Sequence, residues 1–154
     1  MTPYGTEAGF TEYAAAMGYT VPTGDVLPAI VRGSVYVDGV YGERFTGVQA
    51  DMMQERAWPR IGATAFGTSI APSITPKRVE HAAYEAALAE LRAPGSLSIV
   101  VTPSKRIVEV KAGSAGVRYS DQGDAIDGAI PVLTVVEGLL APLLTQPMPS
   151  IMVV

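Results

Sequence analysis

Apolar residues recur at helical spacing along most of the chain and switch to alternation in one stretch. Phe10, Tyr13 and Ala14, at i, i+3 and i+4, predict a helix from about Thr6 to Met17, with Gly18 as its stop. From Asp25, whose carboxylate is placed to cap a first turn, Leu27, Ile30, Val31, Ser34, Val35 and Tyr41 predict a second helix running out to Phe45. Glycines at 33, 39 and 42 weaken it, each by up to about 1 kcal/mol relative to Ala. Gln49 to Arg56 predicts a third, short helical piece ended by Trp58-Pro59, because proline disfavours a helical residue before it. Residues 61–75 hold small residues, Gly and Pro without a period and read as a loop, ordered or partly mobile. The clearest helix follows. Thr75 is placed as N-cap and Pro76 as first helical residue; Val79, Ala83, Ala86, Ala87 and Glu90 form one stripe and Tyr84, Leu88 and Leu91 an adjacent one, up to Pro94-Gly95. Its alanine-rich face permits close helix packing.

From Ser96 the period becomes two. Leu97, Ile99 and Val101 alternate with Ser96, Ser98 and Thr102, Arg106 to Lys111 is rich in β-branched residues, and Val117 to Ser120 resumes the pattern after Ala112 to Gly116. Three short strands over about 96–120 therefore predict a small antiparallel hairpin or meander. A helix from about Ala129 to Leu144 and an uncharged tail, Gln146 to Val154, complete the pattern. The fold class read from it is mainly α: a small helical bundle with an inserted antiparallel β-hairpin or meander and an extended C-terminal arm. Residues 1–145 form one domain, 146–154 the arm, and 154 residues in all fit one core.

Composition narrows the chemistry. Eleven Lys and Arg stand against fifteen Asp and Glu, a formal charge of −4, so no overall basic footprint for nucleic acid is present. Charged residues are 17% and hydrophobic residues 48%, too few charges to coat a free monomer generously. Zero Cys excludes disulfides, thiolate nucleophiles and Cys-based zinc sites, and a single His removes most imidazole chemistry. The opening residues show no secretory pattern, and the most apolar stretch, Ile130 to Leu144, is interrupted by Pro131, Glu137 and Pro142 and falls short of the roughly 20 residues that span a bilayer. Synthesis in the cytoplasm and no membrane partner are the expectations.

Motifs for catalysis are incomplete. Gly67-Thr68-Ser69-Ile70-Ala71 is a faint nucleophile elbow, but that turn needs a strand before it, a helix after it and a histidine partner, and His81 sits inside the alanine-rich helix. Asp121, Asp124 and Asp127 lack the alternation and terminal Glu of a calcium loop and suit turns and helix capping. Gly113-Ser114-Ala115-Gly116 lacks the lysine and helix of a phosphate cradle; a hairpin turn suffices. No catalytic residue, metal site or cofactor is expected. Trp58-Pro59-Arg60 reads as a structural anchor, either of the core or of a subunit contact. The tail Ile151-Met152-Val153-Val154 either is disordered or adds a strand to a partner.

Several segments together resemble the small head-to-tail adaptor (head-completion or connector) proteins of tailed bacteriophages: Tyr4-Gly5-Thr6, Gly9-Phe10 and Tyr13; Tyr41-Gly42 and Arg44-Phe45; Gln54 and Ala57-Trp58-Pro59-Arg60; Pro76 and Val79 to Leu88; Pro94 to Leu97; and Leu140 to Leu144. The Trp-Pro-Arg turn followed by the Val79-Glu80 helix is the most specific pairing. The resemblance implies a non-enzymatic virion protein of the neck, held in the host cytoplasm before assembly. It implies a homo-oligomeric ring of about twelve copies beneath the portal protein, through which double-stranded DNA passes transiently. The C-terminal segment of such adaptors reaches the portal, which assigns portal binding to Pro147, Met148, Pro149, Ser150, Ile151, Met152, Val153 and Val154. The opposite side meets the next neck or tail-completion protein. Arg106, Val108, Lys111 and Arg118 on the hairpin are expected at a subunit or neighbour interface. An acidic lumen would let DNA pass without sticking. Similar proteins are also labelled DnaT-like single-stranded-DNA-binding proteins; a binder of that kind needs a basic groove with stacking aromatics, for which Lys105, Arg106, Lys111 and Arg118 near Tyr119 are the candidates.

Overall fold

The computed structural model describes residues 1–98, 110–112, 115–117 and 133–146. Helix α1 spans Glu7–Ala16 and α2 spans Val26–Tyr41, extended by a 3-10 turn at Gly42–Arg44. Two-residue strands follow: β1 (Val48–Gln49), β2 (Arg60–Ile61), β3 (Thr64–Ala65) and β4 (Thr68–Ser69). Helix α3 is Lys77–Arg92, β5 is Val110–Ala112, β6 is Ala115–Val117, and α4 is Thr134–Leu140, continued by a 3-10 turn at Ala141–Leu143. The chain is thus mainly α, a small bundle decorated by antiparallel strand pairs β1–β2, β3–β4 and β5–β6.

The central packing is α2 on α3, with α4 and α1 laid against α3. Ala82, Ala83, Ala86 and Ala87 of α3 are fully buried and leave room for Gly33 of α2; a Cβ there would lie 2.4 Å from the Ala83 carbonyl oxygen. Two cores result. One gathers Tyr41, Phe45, Trp58, Val79, Val136, Leu140 and Leu143; the other joins Phe10, Ile30, Tyr84 and Leu88.

α1 and α3 form where periodicity places them, and Thr6 caps α1 by accepting from the Gly9 N–H at 3.0 Å. Other expectations are corrected. α2 stops at Tyr41 and Asp25 makes no side-chain cap bond; of the expected stripe Ile30, Ser34 and Tyr41 are buried, but the buried face also takes in Ala29, Gly33, Tyr36 and Val37 and leaves Leu27 and Val35 exposed. The small residues meet the alanine face of α3, a contact that apolar spacing alone does not reveal. Pro76, not Thr75, is the N-cap of α3.

Gln49–Arg56 is not a helix. Its backbone groups are taken by side chains instead: Gln54 Nε2 donates to the carbonyls of Arg56 (2.7 Å) and Pro59 (3.0 Å), and the Asp51 N–H donates to Gln54 Oε1 (3.0 Å). Within 61–75 lies the β3–β4 hairpin, whose turn residues Phe66 and Gly67 both have positive φ, 51° and 75°. That is the twist a two-residue hairpin requires, and a phenylalanine in it hides the turn from sequence inspection. The hairpin expected at 96–120 is described only as β5–β6, with Val110 opposite Val117 and Lys111 opposite Gly116; the strands expected over 99–109 and 118–120 lie outside the described residues. The start expected for the last helix, 129–132, lies outside the described residues; the described helix begins at Thr134.

Candidate functional site

The Trp58-Pro59-Arg60 turn lies where α2, the amino-terminal segment and β1–β2 meet. Trp58 is buried against Phe45 with ring centroids 5.5 Å apart, and the bond to Pro59 is cis. Arg60 is buried and spends its guanidinium on main-chain carbonyls: Nε donates to Thr46 (2.9 Å), Nη1 to Ala57 (3.1 Å) and Nη2 to Gly47 (2.7 Å) and Phe45 (3.4 Å). Burial without a carboxylate partner pulls its pKa down. Arg56, also buried, donates to the Thr2 carbonyl (2.6 Å) and to Asp38 Oδ2 (3.2 Å). Tyr4 closes the cluster: its hydroxyl donates to Asp38 Oδ1 (2.5 Å) and accepts from the Trp58 N–H (3.1 Å). Its phenol is pushed far up by burial and by the Asp38 carboxylate.

The same region receives the carboxyl-terminal part of the described chain. Phe45 and Leu144 form an antiparallel bridge; the Thr46 N–H donates to the Leu143 carbonyl (2.9 Å) and the Thr145 N–H to the Arg44 carbonyl (2.7 Å). Leu143 to Thr145 are therefore held beside Arg44–Thr46.

Beside the turn is an open groove of about 420 Å³ between the end of α2 and β1–β2, lined by Asp38, Gly42, Glu43, Val48, Gln49 and Glu55 among others. Glu55 is exposed and held below the usual carboxylate range, first by the Thr2 N–H at 2.8 Å and also by the charged amino terminus. Around it, Val48 (64%), Ile61 (50%), Met52 (93%) and Met53 (87%) face solvent. Asp51 holds the methionines out by accepting from the Met53 N–H at 2.8 Å. A second cleft, about 460 Å³ between α1 and α3, is walled by Tyr13, His81 and Tyr84, with Tyr13 and His81 rings 4.6 Å apart.

Every cation whose side chain is described is already engaged. Arg32, Arg44, Arg56 and Lys77 pair with Glu90, Glu137, Asp38 and Glu80; Arg60 holds carbonyls; Arg78 donates to the Leu139 carbonyl and stacks on Phe66; and Arg92 covers the Tyr19 ring.

Ser69 lies in strand β4 on an exposed hairpin, not on a strand-to-helix turn. Among the described residues no group of three acidic, His or Cys side chains is arranged for a metal, and no helix is long and apolar enough to cross a membrane. Of the residues singled out in the sequence, Trp58, Pro59 and Arg60 come together as above. Arg106, Val108, Arg118 and 147–154 lie outside the described residues, and Lys111 is placed only as a backbone position of β5. Missed were Tyr4, Asp38 and Arg56. An arginine two residues before Trp58 and a polar residue in the last turn of α2 were the available signals.

Residues 3–154 match a family model described as "Putative DnaT-like ssDNA binding protein". The chain belongs to that family. The match covers both the described body and the hairpin and tail segments, so DnaT-like membership applies to the chain as a whole. No curated protein and no solved structure matches it.

Proposed function

We propose that this DnaT-like family member is a non-enzymatic structural protein of the phage neck. In this reading it is a head-to-tail adaptor that docks as a ring on the portal and links it to the next neck or tail-completion protein. The observation that supports the reading is the surface chemistry of the described body: Arg56 and Arg60 are buried on internal partners and the exposed Arg32, Arg44 and Lys77 each face a carboxylate, while Val48, Met52, Met53 and Ile61 are exposed to solvent. Such a surface suits protein contacts better than phosphate, and an acidic chain of −4 suits a channel through which DNA must slide. In this reading Pro147 to Val154, which follow the Phe45–Leu144 bridge in the sequence, are the portal-binding arm. The test is the mass of the complex formed with the cognate portal ring by the full chain and by a chain lacking 147–154. Stoichiometric loading that needs the arm supports the reading; no loading by either form sinks it.

The family description favours a second reading, single-stranded-DNA binding. Its carriers would be Lys105, Arg106, Lys111 and Arg118, clustered in sequence near Tyr119, since attachment to phosphate needs Lys and Arg and stacking needs an aromatic. Fluorescence anisotropy of a labelled oligothymidine at 50 and 300 mM salt separates the two. Binding that weakens steeply with salt and disappears in Arg106→Glu with Lys111→Glu favours the DNA reading.

A further inference from the structure

Two helical rows face each other across the cleft between α1 and α3. On α1 the row is Gly9, Glu12 and Tyr13; on α3 it is Lys77, Glu80, His81 and Tyr84, at spacings of three and four that set each row on one side of its helix. Tyr84 ties the two helices together. Its hydroxyl accepts from the Thr6 N–H at 3.0 Å, and a Cβ at Gly5 or Gly9 would overlap it, so glycine at both positions is what lets the ring reach α1.

The lining offers two kinds of chemistry. Three rings cluster there: Tyr13 and His81 lie 4.6 Å apart at 35°, and Tyr84 lies 5.8 Å from Tyr13 and 6.3 Å from His81. Both phenol hydroxyls are engaged, that of Tyr13 donating to Glu85 at 2.7 Å, so the tyrosines bring ring surface to a ligand. The polar groups have capacity left. Among the described residues Glu12 is exposed and forms no ion pair or hydrogen bond, and no hydrogen bond reaches the His81 ring. Glu80 is paired with Lys77 at 2.7 Å, but the Lys77 side chain is 78% exposed, and water weakens such a pair. Two carboxylates thus stand against one ammonium.

Ring faces beside an excess carboxylate and an unbonded imidazole suit a flat cation. A guanidinium stacks on the rings while its N–H groups reach the carboxylate; a compact, strongly hydrated ammonium does only the second, and a nucleotide would bring its phosphate up to Glu12 and Glu80. The volume, about 460 Å³, falls within the roughly 300–1,000 Å³ of small-ligand sites.

We infer that the α1–α3 cleft is the receptor for an arginine side chain presented by a protein partner, which stacks on Tyr13 and His81 and pairs with Glu12. The inference rests on the protein-docking reading above and deepens it by naming the chemistry of one contact.

His81 is the only histidine of the chain, so its ring protons are isolated NMR reporters inside the cleft. The full chain is titrated with blocked glycyl-arginyl-glycine, with blocked glycyl-lysyl-glycine and with thymidine monophosphate. The expected result is a saturable shift with the arginine peptide at a Kd of about 1–10 mM, binding of the lysine peptide at least about fivefold weaker, and no saturable shift with the nucleotide. Glu12→Gln weakens arginine binding about tenfold, and Tyr13→Leu does so to a similar degree. Tyr13→Phe, which keeps the ring, and Glu43→Gln, which removes the same charge at the other groove, leave it within about twofold. Equal binding of the arginine and lysine peptides, a shift that never saturates, or an affinity unmoved by Glu12→Gln overturns the inference. Preference for the nucleotide overturns it too and gives the cleft to the DNA reading. The titration contains no portal, so these outcomes leave the portal-loading test of the adaptor reading untouched. Arginine binding by a chain that fails to load the portal supports the cleft and removes the adaptor reading instead.

Discussion

Gly33 of α2 sits so close to Ala83 of α3 that a methyl group on it would lie 2.4 Å from the Ala83 carbonyl oxygen and 2.9 Å from the Ala87 nitrogen. Both obstacles are main chain and cannot rotate away. Although alanine is the better helix former by about 1 kcal/mol, Gly33→Ala forces α2 and α3 apart along their whole contact. The expected net result is a loss of about 1–3 kcal/mol, read from the urea midpoint. Gly39→Ala is the control. A Cβ there meets nothing within 4 Å, so it should be neutral or stabilising.

Arg60 holds four carbonyls, those of Phe45, Thr46, Gly47 and Ala57. Arg60→Met keeps much of the volume but leaves the buried carbonyls of Phe45 and Ala57 without this donor, each costing about 1–3 kcal/mol, and loosens the part-buried bonds to Thr46 and Gly47. We expect a loss of at least about 3 kcal/mol in chemical unfolding, and Arg60→Lys to recover less than half, because an ammonium cannot span the fork.

Removal of the arm separates anchoring from docking. If 147–154 serve a partner, as proposed above, their deletion leaves Leu143, Leu144 and Thr145 in place and should change thermal stability by less than about 0.5 kcal/mol. Deletion from 143 onward removes two buried leucines and the bridge to Phe45, and should cost about 4 kcal/mol or more. Circular dichroism melts of the two truncations distinguish these outcomes.

Alkaline pH tests the phenol network. Tyr4 and Tyr41 are fully or nearly fully buried, and Tyr13 donates to Glu85 at 2.7 Å; all three titrate above the ordinary value of 10.0, chiefly through burial. A raised folded pKa means that the native state keeps its proton when the unfolded chain has lost it. Stability is therefore full below pH 10 and falls above it, for Tyr4 by about 1.4 kcal/mol per pH unit. Absorbance at 295 nm should show these phenols ionising only as the chain unfolds.

How much of this was legible in the sequence depended on the range of the interactions. α3 was readable because a 3.6-residue stripe, including buried Glu90, repeats over four turns. The 49–56 turn was not, because Gln54 there takes over main-chain partners that a helix would have used, and composition does not distinguish the two. The face of α2 is legible only in part, through Ile30, Ser34 and Tyr41; Gly33 belongs to it for a tertiary reason, the alanine surface opposite. At the site, Trp58-Pro59-Arg60 announced itself by residue type. Its supports Tyr4, Asp38 and Arg56 did not, because they lie up to 54 positions apart in sequence and are joined only by folding.

The Phe45–Leu144 bridge also fixes where tension would enter the molecule. A pull along the arm arrives at Thr145 and passes across the bridge to Arg44–Thr46, the stretch whose carbonyls Arg60 grips from behind. Force is thereby shared with a stretch cross-bonded by Arg60 rather than falling on the end of the short helix α4 alone. A chain built in this way resists unravelling from α4 when load enters at Thr145.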